Sequence, residues 1–293
     1  MIRLTAIRDE TGYQTVRHIE SVLCAANPAV WHFHQGGLGV DRYFFGGGAV
    51  DFFRYAYLVS ESGRAIGYAL LYEDERSFHL ALLPSVPDGL AADALEAVEA
   101  AFSSDGPLST EENDTETGLI GALLRRGYVQ ASESRFQAVC PLARYRRVSA
   151  PIDPFIPDLL KDRDIEDRIM FAALPTGSPV TKAMFQSYRR ASDARYVRDE
   201  VVRDPHTGAL AAYLSWWMDP ESRTVMLNPV ACLEPYRRRG ILKNCVIRGL
   251  CAMRDQGYRY AYVDTGIGNK PAIGLYEAAG FIKSGRACRY DKN

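Results

Sequence analysis

The sequence predicts an α/β protein built from two similar halves, and three observations carry that reading. The chain has 293 residues, about twice the commonest length of a single domain. Apolar runs of strand character alternate with stretches of helical period from end to end. The order of those runs in the first half recurs in the second, with matches visible in letters. Leu83-Pro-Ser-Val86 answers Leu227-Asn-Pro-Val230, and Gly121-Ala-Leu-Leu-Arg-Arg-Gly-Tyr-Val129 answers Gly274-Leu-Tyr-Glu-Ala-Ala-Gly-Phe-Ile282. This is a two-fold duplication, since a solenoid needs more and shorter repeats.

Ile2–Ile7 reads as a first strand, and Val16, Ile19, Val22, Leu23 and Ala26 mark one face of a helix over Gln14–Ala26. Pro28–Gly48 mixes aromatic residues with glycines, including Trp31-His-Phe-His34 and Arg42-Tyr-Phe-Phe45. It is expected to be an irregular loop, either the wall of an acceptor site or a packed connection whose aromatic residues fill the core. A meander follows, with strands over Tyr55–Ser60, Ala65–Tyr72 and Phe78–Val86, then helices over Leu90–Phe102 and Thr117–Arg126 and a strand over Tyr128–Leu142. Ser149–Pro157, rich in proline, reads as the seam, so the division is expected at 1–147 and 148–293. The second half repeats the meander with strands over Val197–Val202, Ala209–Met218 and Val225–Leu233. A helix over Gly240–Met253 and a strand over Tyr258–Val263 complete the pattern.

Composition narrows the class. Hydrophobic residues make up 47% and charged residues 24%, enough apolar side chains for a core in each half, and the net charge of −1 gives no global field for nucleic acid or an anionic membrane. The six cysteines show no metal-finger or redox spacing and most lie in apolar runs, so they read as reduced core thiols of a cytoplasmic protein. No stretch approaches membrane-spanning length, and export is not expected.

The chemistry is concentrated where the strand Val225–Leu233 feeds the helix beginning at Gly240 through Glu234-Pro-Tyr-Arg-Arg-Arg-Gly240. A strand entering a helix through a basic, glycine-containing turn leaves unpaired N–H groups at the positive end of the helix dipole, a ready site for phosphate. The turn is neither a P-loop nor a dinucleotide fingerprint. The equivalent stretch of the first half, Pro87-Asp-Gly-Leu-Ala-Ala-Asp-Ala-Leu95, carries two carboxylates and no cation, and would repel a pyrophosphate.

Arg237-Arg-Arg-Gly240-Ile-Leu242 resembles the acyl-CoA pyrophosphate loop of the GNAT superfamily of N-acetyltransferases, with Leu242 in place of the family's last small residue. Asn269-Lys-Pro-Ala-Ile-Gly-Leu-Tyr276-Glu-Ala-Ala-Gly280-Phe281 matches the family's second signature, N-x-x-A-x-x-L-Y-x-x-x-G-F, at every named position. The resemblance implies two tandem GNAT-like domains, each a mixed, mostly antiparallel sheet flanked by helices, with a degenerate first copy. It implies acetyl-CoA as cosubstrate and direct transfer to a primary amine of a small molecule or peptide through a ternary complex. The alternatives are a longer acyl donor or a non-catalytic acyl-CoA-binding module. A monomer or homodimer without metal, nucleic-acid or membrane partner fits the same reading.

Site residues follow from those matches. The amides of Arg238, Arg239, Gly240, Ile241, Leu242 and Lys243 are expected to cradle the pyrophosphate, and Arg237–Arg239 to add charge; a solvated basic cap is the bland reading. The resemblance implies a strand splayed from its neighbour, freeing backbone at Val230, Ala231 and Cys232 for pantetheine. Tyr276 is the candidate acid for the departing thiolate, and the first half has Leu123 at the matching position. Asn269 reads equally as a helix cap and a donor-binding residue. Glu234 is a candidate base acting through water, although an exposed glutamate beside Pro235 is more often inert. Trp31, His32 and His34 are candidates for the acceptor pocket. His32 and His34 also form an H-x-H pair, but no third metal ligand accompanies them.

Overall fold

The computed structural model describes residues 1–44, 49–103, 105–169 and 180–293. Its strands form one continuous sheet, in the order β1-β2-β3-β4-β5-β13-β6-β11-β10-β9-β8-β7. In the first half these are β1 (Ile2–Ala6), β2 (Ala56–Glu61), β3 (Arg64–Tyr72), β4 (Ser77–Leu82), β5 (Leu108–Asn113) and β6 (Val129–Pro141). In the second they are β7 (Ile156–Leu159), β8 (Val197–Arg203), β9 (Leu210–Asp219), β10 (Thr224–Cys232), β11 (Tyr260–Gly266), β12 (Ile282–Lys283) and β13 (Ala287–Lys292). Nearly all neighbours are antiparallel. The parallel exceptions are β4 with β5 and β10 with β11, the same place in each half.

The helices are α1 (Glu10–Ala26), α2 (His34–Phe44), α3 (Ala49–Tyr55), α4 (Asp88–Ala100), α5 (Thr117–Arg125), α6 (Lys182–Arg190), α7 (Ile241–Asp255) and α8 (Lys270–Ala279). Asp9 starts α1 by accepting the Gly12 N–H at 2.9 Å, and Tyr13, Val16 and Ile19 bury its inner face against Leu38, Tyr68 and Leu70. On α7, Ile241, Cys245, Val246, Leu250 and Met253 pack into the core around Trp216, as the helical spacing predicts. Leu242 lies at the margin of that core, partly buried.

The halves are interlaced at the centre of the sheet. Strand β13, last in the chain, lies between β5 and β6 of the first half, while the end of β6 pairs with β11 of the second.

One expectation needs correction. Residues 34–44 of the aromatic–glycine segment form α2, not an irregular loop; residues 45–48 of that segment lie outside the described residues. Its glycines are contact points: a Cβ on Gly39 would sit 2.3 Å from the Trp217 ring, and one on Gly36 2.8 Å from the Trp217 Cβ. They let α2 lie directly on β9 and β10, so the first half supplies a wall to the second. The proline-rich stretch leads into β7, whose Ile156–Leu159 pairs antiparallel with Glu200–Arg203.

Candidate active site

Strand β10 pairs with β11 only over Thr224–Met226 and Tyr260–Tyr262. Beyond that the strands part, and the register of β10 against β9 shifts between Leu227 and Val230, at a cis Asn228–Pro229 peptide. Pro229 has no N–H to offer a ladder, which suits it to an interrupted edge. The first half repeats the geometry: β4 and β5 pair only at Ser77–Ser109 and Phe78–Thr110. The two openings feed one cavity of about 1060 Å³.

From the second half Val230, Asp264, Thr265, Asn269 and Tyr276 face this cavity. Tyr276 is only 6% exposed, its ring edge-on to Phe281 at 5.8 Å, and burial pushes its phenol above the ordinary range. The matching Leu123 is sealed in the first half's core. Asn269 caps α8 by accepting the Ala272 N–H at 3.4 Å, while its Nδ2 donates to Thr265 Oγ1 at 3.0 Å. Arg135 of β6 reaches across to Asp264 of β11 with two hydrogen bonds of 2.5 Å.

The turn before α7 has the form of an anion site. Gly240 precedes the helix at φ 76° without a side-chain cap, and the first turn holds no acidic residue. Helical bonding begins at Asn244, whose N–H donates to Gly240 O at 3.1 Å, so the amides of Ile241, Leu242 and Lys243 have no intrahelical acceptor. Arg238 is also in the left-handed region, at φ 60°. Arg237, Arg238, Arg239 and Lys243 are exposed. Arg237 Nε donates to Cys232 O at 3.1 Å, and the Arg239 guanidinium lies 4.6 Å from the Phe155 ring centroid. In the first half the corresponding α4 starts with Pro87 and Asp88, so a carboxylate answers its dipole.

Ala231 and Cys232 pair with Tyr213 and Ala212 of β9 on one side, and neither reaches the cavity lining. Glu234 is exposed on the turn and also lies outside that lining. Trp31 and His32 line the cavity, with His32 Nε2 donating to Asn27 O at 2.9 Å. His34 stands behind it, fully buried. Its Nδ1 accepts the Gly36 N–H at 2.9 Å, and its Nε2 donates to Thr224 Oγ1 at 3.0 Å. Burial lowers its pKa to about 4 and keeps the ring neutral. Among the described residues no cluster of metal-ligand type includes either histidine.

The sequence reading missed the carboxylates of the cavity wall. Glu20, Asp41, Glu112 and Glu116 all line it. Burial raises Glu20, which accepts from Tyr68 OH at 2.5 Å, and Asp41, which accepts from Tyr72 OH, each to about 7. No local signal in the sequence marks them: a carboxylate reads there as solvated, and the α2 and β5 that carry two of them are not apparent as elements.

The architecture is thus a splayed mixed sheet, doubled, with a basic helix start on one side of the opening. Residues 163–281 match the model described as Acetyltransferase (GNAT) family, so the chain contains a GNAT acetyltransferase domain. The curated relative N-alpha-acetyltransferase MAK3 of Arabidopsis thaliana is 36% identical over 61 residues, a stretch covering 21% of this chain and 32% of that protein. The chain thus spans about a third of the curated relative it matches. Among solved structures, a tandem GNAT protein from the clavulanic acid biosynthesis pathway aligns with a TM-score of 0.67 at 14% identity, covering 100% of this chain and 98% of that one. A GNAT-family acetyltransferase from Colwellia psychrerythraea aligns at 0.64 and 12% identity, with both chains covered to 100%. These structural likenesses speak to the fold.

Proposed function

We propose that the chain is an N-acetyltransferase whose second half binds one acetyl-CoA and transfers its acetyl group directly to a primary amine. The observation that carries this is the meeting of three features. The opening between β10 and β11 begins beyond Met226, Tyr276 and Asn269 face it, and an uncapped helix start beside three arginines follows β10. In this reading the amides from Arg238 to Lys243 and the guanidiniums of Arg237–Arg239 hold the pyrophosphate. Free backbone at Val230–Cys232 holds the pantetheine, and Asn269 supports the donor while capping α8. The amine nitrogen attacks the thioester carbon, the C–S bond breaks, and Tyr276 gives its proton to the departing thiolate. The attacking nitrogen loses its proton through water, with Glu234, on the turn outside the cavity lining, as the candidate base. The Arabidopsis relative's name supports N-acetyl transfer, and the free cysteines support a reducing cytoplasm.

Thiol release from acetyl-CoA, followed across a panel of amines, tests the activity directly; no release with any amine overturns it. The donor site has its own test. Calorimetric titration should give one CoA per chain, because only the second half pairs an open cleft with an uncapped, cationic helix start. Arg237→Ala with Arg239→Ala should weaken CoA by about 1–3 kcal/mol, the range for charge-assisted contacts. Two equal sites, or unchanged affinity in the double variant, contradict this assignment. On the acceptor side, Trp31→Ala should raise the acceptor KM with CoA affinity intact. A parallel fall in Tm would mark Trp31 as a packing residue.

A further inference from the structure

The two openings of the cavity differ at one matched pair of positions. In the second half Thr265 and Asn269, four residues apart, are neutral and hydrogen-bonded to each other at 3.0 Å. Their counterparts in the first half, aligned on the final helix, are Glu112 and Glu116, and all four residues line the same cavity. Glu112 is 5% exposed. Oε1 accepts from Thr110 Oγ1 at 3.1 Å, and among the described residues Oε2 has no partner. Glu116 precedes α5 without capping it, exposed at the rim. The arginines that reach the lining have other partners: Arg135 pairs with Asp264 and lies 3.9 Å from Glu111, Arg289 pairs with Asp291, and Arg168 is stacked 3.6 Å from the Tyr213 ring centroid. His79, also in the wall, is held neutral by burial, its pKa lowered to about 4.

We propose that the lapsed cofactor cleft of the first half has become a cation seat, in which Glu112, with Glu116 at the rim, holds a second ammonium group of an elongated di- or polyamine acceptor. This rests on the acyl-transfer reading above. A nearly buried carboxylate with an open oxygen and no counter-ion lacks only a cation to complete it. Asn113, Ala287, Arg135 and Gly266 form a row of paired residues from β5 to β11. Three strand spacings separate the two openings by about 14 Å. A compact monoamine at Tyr276 leaves the far opening empty, whereas a linear acceptor with a second cation fills both. Burial holds the Glu112 carboxyl well above the usual carboxylate range. Glu111 and Glu116 on its own segment, and Cys288 and Tyr290 across on β13, are the titratable groups that face it, and none is a cation. An entering ammonium therefore favours the ionised form of Glu112.

The test is calorimetric titration of the full chain at pH 8 with 1,8-diaminooctane and with 8-amino-1-octanol. The diamine is expected to bind at least about tenfold tighter. Glu112→Gln, which keeps the shape, should abolish this preference without lowering Tm, and the exposed Glu116→Gln should weaken the diamine about threefold. Equal affinity of the two ligands, or a diamine preference that survives in Glu112→Gln, overturns the seat. The transfer assay separates the two readings. Diamine binding through Glu112 without acetyl transfer to any amine removes the enzyme reading and leaves the seat. Transfer to 8-amino-1-octanol as efficient as to the diamine removes the seat and leaves the enzyme.

Discussion

Tyr276→Phe is expected to lower kcat by about 10²–10⁴-fold, the usual loss when a positioned proton donor is removed. The substitution keeps the ring that packs edge-on to Phe281, so the core around α8 is preserved and CoA affinity should stay within about twofold. Loss confined to kcat means an interaction made in the transition state alone. Burial and the nearby Asp264 carboxylate both favour the neutral phenol, so the donor stays protonated through the whole range in which the protein is assayed. The sign follows for pH. Deprotonation of Tyr276 sets in above the ordinary phenol value near ~10, so any fall in wild-type rate between pH 8 and 9 comes from another group. If Tyr276→Phe turns over at the wild-type rate with chemistry limiting, the residue only packs, and the thiolate leaves unassisted or is protonated by water.

The parts of this protein that can be read from its sequence are those whose partners lie nearby in the chain. The spacing of Ile241, Cys245, Val246, Leu250 and Met253 predicts α7 and its buried face, and the Asn269–Phe281 signature predicts α8 with its cap. The apolar runs of β2, β3 and β9, bounded by turn residues, are equally legible. By contrast β5, Leu108-Ser-Thr-Glu-Glu-Asn113, carries polar residues because its side chains face the cavity and the carboxamide of Gln137. No pattern of period two marks it. The glycines of α2 suggest a loop until Trp217 is brought against them, because their reason lies some 180 residues away. The cavity carboxylates were hidden for a related cause. A glutamate in sequence looks solvated, and only tertiary structure shows Glu20 and Glu112 removed from water.

The interlaced strands lead to a further expected result: residues 1–147 expressed alone will not fold, and neither will residues 148–293. In the first fragment β5 loses all of its pairing with Ala287–Lys292, and the start of β6 loses the same strand. Cys288 and Tyr290 also leave the core that holds Leu95, Leu108 and Leu123. Burying a side chain of that kind contributes about 1.5–3 kcal/mol, before the backbone groups of two strands are left without partners. Against a typical domain stability of about 5–15 kcal/mol, that loss is comparable with the whole. The second fragment loses the pairing of Tyr260–Gly266 with Arg135–Pro141 and exposes Ala261 and Val263, buried in the native core, beside a bare strand edge. Co-expression of the two fragments should restore a soluble complex, because every missing pairing is supplied by the other piece. Circular dichroism melting of each fragment and of the complex is the measurement. A cooperative transition from residues 1–147 alone, near the Tm of the full chain, would show that the first half completes its own sheet without β13, and that the division at 147 separates two self-sufficient domains.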